Sequence, residues 1–389
     1  MRHLDTSLAA DSLVDELLDI ALDLGASDVH VDPGSPCGVV RLRIDGVLFP
    51  LASVPSAVLE RVVGRLKVLA RLVVYQFDRI QEGRLTVARG GARADVRLTI
   101  LPTPEGERAA LRVFPASNEP PRLAELGFGV PIVDALRAVS RSRRGLLAVT
   151  GPMSSGKTTT LHALATAIVA EDGARHLVAS VEDPVERRLA GVIQLEVAPE
   201  RGITFETGLA TLLRHDVSVL VVGEIRDGAT AARAVDAALT GHLVLTTFHV
   251  GSPREVLERL SHLGVERRLV PSAVVGILSQ RLFRLLCREC RVVKGASAPP
   301  LPGARLSTED VVTAAEAGPG CSGCRGTGYR GRTARGEWVP FDPSIADLSG
   351  EAWESELRRR EIPSLADEAG ELLFAGFTSY DEALRGLRS

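Results

Sequence analysis

Residues 151–158 read GPMSSGKT, between the apolar run LLAVT and a helical run, TTTLHALATAIVA, that opens at Thr158. Strand, glycine-bounded loop and helix in that order fit the GxxxxGK[ST] pattern in the context that gives it physical meaning. A polyphosphate needs several backbone N–H groups aimed at it from a loop that no side chain obstructs, and it gains from the positive end of a helix dipole. Gly151 and Gly156 permit such a loop, with Ser154 and Ser155 between them. Lys157 is placed to reach the β and γ phosphates of ATP, and the Thr158 hydroxyl to complete a Mg²⁺ shell, with Thr159 beside it. A glycine-rich turn with an incidental lysine is the competing account, and the order of the flanking elements argues against it.

The neighbouring runs agree. LLAVT, HLVASV, VSVLVV and LVLTT are separated by helical stretches, one of them near Ala229 to Leu239. This predicts an α/β domain with a largely parallel sheet, helices over it, and ligands at the carboxyl ends of its strands. VSVLVV runs into Gly223 and Glu224, where a carboxylate can bind the Mg²⁺ shell or polarise a water. Upstream, the alternating runs VVRLRI, RLTVA, ADVRLTIL and AALRVF, interrupted by the helical SAVLERVVGRLKVLARL, predict an α+β domain over 1–115 with a leading amphipathic helix. The proline-bearing stretch 116–124 reads as a linker. The parallel-sheet domain is expected over 125–285, a cysteine-bearing insert with a loop-like middle over 286–330, and a charged, mostly helical region over 331–389.

Cys287, Cys290, Cys321 and Cys324 form two CxxC pairs, which can offer four thiolates to a tetrahedral Zn²⁺. Glycines in CSGCRGTGYRG suit the tight turns around a metal. A closed four-sulfur site has no open position, so its role is structural. Cys37 reads as an incidental thiol. The 46 basic residues against 49 acidic ones, and an aromatic content of only 4%, argue against nucleic acid as a partner. The first twenty residues interleave acids with apolar residues, unlike a signal peptide, and no apolar stretch approaches the ~20 residues that span a bilayer. Membrane association is therefore expected only through a partner, without direct insertion.

Further stretches carry a resemblance. ASDVHVDP (26–33), VRLRIDGVL and ADVRLTILPTPEGERAALRVF resemble the amino-terminal domain of the type II secretion and type IV pilus assembly ATPases. VEDPVE (181–186), GEIRD (223–227) and TGHLVLTTFH (240–249) resemble that family's Asp box, Walker B and His box. The resemblance runs from about Leu13 to Leu384. It implies a RecA-like P-loop NTPase domain preceded by a PAS-like α+β domain and carrying a small zinc-binding insert. It implies that Glu186, and with it Glu182, positions or activates the attacking water, and that His242 and His249 sense the γ phosphate. Arg97 and Arg112 resemble arginines that reach nucleotide at a domain or subunit interface; read singly, each is equally a surface arginine on a half-exposed sheet.

The family further implies a cytoplasmic homo-hexamer, peripheral to the inner face of the membrane, that spends ATP on a polytopic inner-membrane platform protein. The metal module is similar to that of the assembly-type enzymes, and a short form without their extra amino-terminal docking domain is expected. A retraction or DNA-uptake motor of the same family, and a nucleotide-binding scaffold with weak turnover, are the alternatives. Three departures stand out. Met153 and Ser154 replace the threonine and glycine usual in GPTGSGKT, His249 is followed by Val250 rather than threonine, and RHDVS (214–218) replaces RQDPD. A positive φ at Ser154 would strain the loop.

Overall fold

The computed structural model describes residues 4, 9–89, 92–114, 119–142, 144–172, 176–297, 299–305 and 313–388. The chain divides into two compact units, Met1–Asn118 with Cys321–Thr327, and Glu119–Gly320 with Gly328–Ser389.

In the first unit, period-two alternation separates an apolar from a charged sheet face. Its elements are α1 (Ala10–Asp23), β1 (Asp28–Asp32), β2 (Cys37–Ile44), β3 (Val47–Pro55), α2 (Ser56–Leu69), β4 (Gln81–Arg89), β5 (Ala92–Thr103) and β6 (Gly106–Phe114). The strands form one sheet in the order β3-β2-β1-β6-β5-β4, antiparallel throughout. Val29, Val31, Leu42, Val96, Leu98, Ile100 and Leu111 are buried with Leu13, Leu17 and Ile20 of α1 and Leu59, Val62 and Leu66 of α2. The alternate positions carry charge, and register places Arg84, Arg97, Arg112, Asp28 and Arg43 in one row across five strands. Residues 1–3 and 5–8 of the leading segment, and 115–118 of the expected linker, lie outside the described residues. Leu123–Glu125 of the linker region forms a short 3₁₀ turn.

The second unit follows the parallel-sheet expectation. It contains α3 (Val130–Ser142), β7 (Gly145–Thr150), α4 (Lys157–Asp172), β8 (Val178–Glu182), β9 (Val192–Glu196), α5 (Phe205–Leu212), β10 (Val219–Val222), α6 (Gly228–Leu239), β11 (Leu243–Phe248), α7 (Pro253–His262), α8 (Val270–Ala273) and β12 (Val274–Leu286). After these come β13 (Val292–Ser297), β14 (Thr313–Glu316), β15 (Tyr329–Pro340), α9 (Pro343–Ala346), α10 (Glu351–Arg359), α11 (Leu365–Phe374) and α12 (Tyr380–Arg388). The sheet order is β15-β12-β7-β11-β10-β8-β9, parallel except for β15. β7, β8, β10 and β11 are buried along their whole length, which is why they read as unbroken apolar runs. Along β7, Leu146 and Ala148 enter the core that contains Leu209, Val235 and Val256, while Leu147 and Val149 enter the one that contains Leu136, Leu161 and Leu164.

Two expectations change. The region 331–389 is not helical from its start: β15 is a twelve-residue strand pairing antiparallel with β12 from Gly276↔Pro340 to Leu286↔Tyr329. Its charged residues Arg332, Arg335 and Glu337 hid the strand, because an edge strand tolerates charge that a central one excludes. The insert also holds a two-stranded sheet, β13 with β14, where a loop was expected.

Candidate nucleotide site

β7 ends at Thr150, whose hydroxyl donates to Val250 O at 2.6 Å, and the chain then turns through Gly151 to Gly156 into α4. Gly151 has φ +145, and a Cβ there would lie 2.4 Å from Gln280 O, so the close approach of loop to β12 requires glycine. Gln280 is fully buried in β12 and grips both the loop and the first turn of α4. Its Nε2 donates to Ser155 O at 2.7 Å, and its Oε1 accepts from Thr160 Oγ1 at 2.8 Å. Ser155 Oγ is buried without a hydrogen-bond partner among the described residues. Thr158 and Thr159 stand half-buried on the first turn of α4. Ser154 has φ +62, and Met153 beside it is exposed. The serine thus adopts the left-handed conformation in which a Cβ is unfavourable.

Lys157 is 6% exposed, and its Nζ donates to Gly151 O at 2.8 Å and Pro152 O at 2.7 Å. Burial, and then the nearby charge of Arg281, push its pKa down to about 8, against the opposing pull of Glu224. His249 follows β11 and places Nδ1 3.3 Å from Lys157 Nζ and Nε2 3.4 Å from Glu224 Oε2. An ammonium can only donate, so Nδ1 accepts and the ring proton sits on Nε2 toward the carboxylate. Burial, and then the charge of Lys157, hold His249 below its ordinary pKa, with Glu224 pulling the other way. Glu224 also pairs with Arg226, and Arg226 NH1 lies 3.4 Å from Asp183 Oδ2. The ends of β8, β10 and β11 and the loop after β7 thereby contribute one contiguous series: Asp183, Arg226, Glu224, His249 and Lys157.

Arg281 was not anticipated. It is 6% exposed, donates through NH2 to Gly251 O at 3.0 Å and through NH1 to Gln280 O at 3.1 Å, and buries Nε without a partner among the described residues. It fastens the turn that follows His249 and adds a second buried cation near Lys157. The signal available in the sequence was a polar Ser279-Gln280-Arg281 trio inside the otherwise apolar VVGILSQRLFRLL. Asp183 and Arg226 lay within motifs already singled out but were passed over.

The remaining expected residues are distributed as follows. Glu182 ends β8 but is 3% exposed and accepts from His162, Ser180 and Gln194. Glu186 is exposed on the loop between β8 and β9. His242 precedes β11 at the opposite end of the sheet from His249; its backbone N donates to Ala237 O, its Nδ1 lies 3.1 Å from the same oxygen, and its own carbonyl accepts from Gly145 N. At ~3.3 Å per residue, the strand holds the two histidines about 20 Å apart, so His242 does not join the Lys157 series within one chain. Arg97 and Arg112 face each other in register on the first unit's charged sheet face, Arg97 bound to Glu82 at 2.6 Å and Arg112 to Asp28 at 3.1 Å.

The four cysteines of the insert do converge. Their sulfurs all lie within 4.8 Å of one another, and Cys321 Sγ is 3.8 Å from Cys324 Sγ. Four thiolates about 2.3 Å from a tetrahedral Zn²⁺ stand about 3.8 Å apart, so the donor set and spacing fit zinc. Gly318 lets the chain return here: a Cβ on it would sit 1.6 Å from Cys290 O.

Fold and loop together define an α/β protein of the P-loop class. The chain belongs to the family described as Type II/IV secretion system protein, which matches residues 4–385. It is 37% identical over 380 residues to the type IV pilus assembly ATPase TfpB of Acinetobacter baylyi, covering 96% of this chain and 64% of that protein. It is likewise 37% identical over 393 residues to type II secretion system protein E of Pseudomonas aeruginosa, covering 97% of this chain and 75% of that one. Among solved structures, the ATPase DotB of Legionella pneumophila superposes with a TM-score of 0.70 at 19% identity, covering 96% and 94% of the two chains; the likeness concerns the fold. Among the described residues no helix is long and apolar enough to cross a membrane.

Proposed function

We propose that this chain hydrolyses ATP with Mg²⁺ and uses the work to assemble a type IV pilus or a type II secretion pseudopilus. The observation that carries the reading is the meeting of Lys157, His249 and Glu224 around the loop after β7. The loop amides and Lys157 bind the β and γ phosphates. Magnesium, when bound through the Thr158 hydroxyl and the Glu224 side, neutralises charge on the phosphate oxygens. His249 presents a neutral imidazole toward the terminal phosphate, and Glu186 on its exposed loop orients the attacking water. Glu182 lacks solvent access and is assigned no proton transfer.

The second unit is read as a RecA-like domain, the first as PAS-like, and the tetracysteine insert as a structural zinc site. Arg97 and Arg112 act at nucleotide bound elsewhere in a homo-hexamer, which works on a polytopic membrane platform protein from the cytoplasmic side. Lys157→Ala is expected to lower Mg²⁺-dependent phosphate release about a hundredfold or more; full activity in that variant would refute the site. Slow turnover, nearer a scaffold than a motor, has one observation in its favour, the left-handed Ser154.

A further inference from the structure

The loop that carries Glu186 is fastened from beneath by residues with no role in the chemistry so far. Gln194, in the middle of β9, accepts at Oε1 from Leu189 N at 2.7 Å and donates through Nε2 to Arg187 O at 2.8 Å. The same Nε2 donates to Glu182 Oε1 at 3.0 Å. A second residue of β9, Glu196, accepts from Val185 N at 3.1 Å. Backbone groups on both sides of Glu186 are therefore bound by side chains of one strand.

Glu182 continues the path inward. Oε1 also accepts from Ser180 Oγ at 2.6 Å, and Oε2 accepts from His162 Nε2 at 2.9 Å. His162 belongs to α4, the helix that begins with Lys157 and Thr158. It is 1% exposed and Glu182 3%. A buried carboxylate is tolerated only when its oxygens are occupied by donors, and here three donors from three elements occupy them. Burial works to raise the Glu182 pKa, and the bonds from His162, Ser180 and Gln194 outweigh it, leaving the carboxyl below its ordinary value.

We propose that His162, Glu182 and Gln194 form a strut between the phosphate-loop helix and the Glu186 loop, making His162 a positioning residue for hydrolysis. It acts through Glu182 and Gln194 and touches neither nucleotide nor water. The inference rests on the reading of Glu186 given above. Its chemistry is geometric: a carboxylate that orients water must keep its distance from a phosphate held by α4, and misplacement by about 1 Å can cost about a hundredfold in rate.

The test compares His162→Phe, which fills the space without a donor, with His162→Gln, whose amide keeps a donor at similar reach, and with Gln194→Met. In the full chain, His162→Phe is expected to lower kcat for ATP about ten- to a hundredfold, with KM for ATP within about twofold and faster amide hydrogen exchange over residues 183–191. His162→Gln recovers most of both, and Gln194→Met reproduces the loss. The proposal is overturned if His162→Phe keeps wild-type kcat and exchange, if KM moves instead of kcat, or if His162→Gln is no better than His162→Phe. Should His162→Phe not fold, Gln194→Met decides by the same two readouts. Absence of turnover in the wild type would sink the proposed function, while the exchange comparison would still decide the strut.

Discussion

Ser154 offers a direct measure of strain in the phosphate loop. Its φ of +62 places an L-residue in the left-handed region, at a cost of about 1–2 kcal/mol. Ser154→Gly removes that cost but enlarges the freedom of the unfolded chain, which returns about 0.5–1 kcal/mol. The net gain is about 0.5–1 kcal/mol, or roughly 1–3 °C in Tm for a unit of this size. Calorimetry without nucleotide should show the rise, with Ser154→Ala near wild type, since alanine keeps the same Cβ. Ser154→Val should melt lower than either, because a branched side chain tolerates positive φ least. If glycine melts at or below wild type and valine melts with it, the loop is not strained and Ser154 gives no reason for slowed turnover.

Three other perturbations follow from the geometry. Glu337, on β15, is pushed up to about 7 by burial, then by Glu354 and Asp367, with Leu365 N–H and Arg305 opposing; Arg281 on β12 also senses its charge. A carboxyl raised in the folded state stabilises fully below its unfolded pKa and loses that contribution as pH climbs through about 7. Glu337→Gln should therefore raise Tm over wild type at pH 8, by an equivalent of up to about 3 kcal/mol, and not at pH 5; an equal gain at both would refute the sign. Gln280→Leu strands Ser155 O in the interior and leaves Thr160 Oγ1 only its longer bond to Gly156 O at 3.4 Å, and a denaturant midpoint lowered by the equivalent of about 2 kcal/mol is expected, with weaker ATP binding by calorimetry. Purified protein should hold about one zinc per chain by elemental analysis, and Cys321→Ser should release it and lower Tm; retention of zinc would remove that cysteine from the ligand set.

The phosphate loop was legible because its determinants are consecutive: strand, glycines, lysine and helix occupy 146–170, and no distant contact is needed to recognise them. The four cysteines were legible for a related reason, since each pair closes on itself through a local turn. Gln280 and Arg281 were not, because a strand more than a hundred residues downstream comes to lie beside β7 only through sheet order. A polar pair in an apolar run marks an exposed edge as readily as a buried clamp, and only the neighbour decides between them. β15 was missed on the same principle: its partner, β12, lies across the whole cysteine insert.

The functional boxes divide according to which end of a strand they occupy. A parallel sheet gathers the residues at its carboxyl ends, so Asp183, Glu224, Arg226 and His249 meet the loop after β7, while His242, at the start of β11, is carried away with the strand's length. Glu182 is the last residue of β8 and still points into the interior, one residue short of the point where the chain emerges; Asp183 is where it does. Position at the strand end, not motif membership, therefore separates the acids that join the Lys157 series, Asp183 and Glu224, from Glu182, which does not. The charges that remain explain why the lysine alone is insufficient. Lys157, Arg226 and Arg281 bring three cations to the site, but Asp183 and Glu224 already offset two of them. An ionised triphosphate must then draw its remaining compensation from loop amides, the α4 dipole and a divalent cation, so the proposed dependence on magnesium follows from how nearly neutral this cluster is by itself.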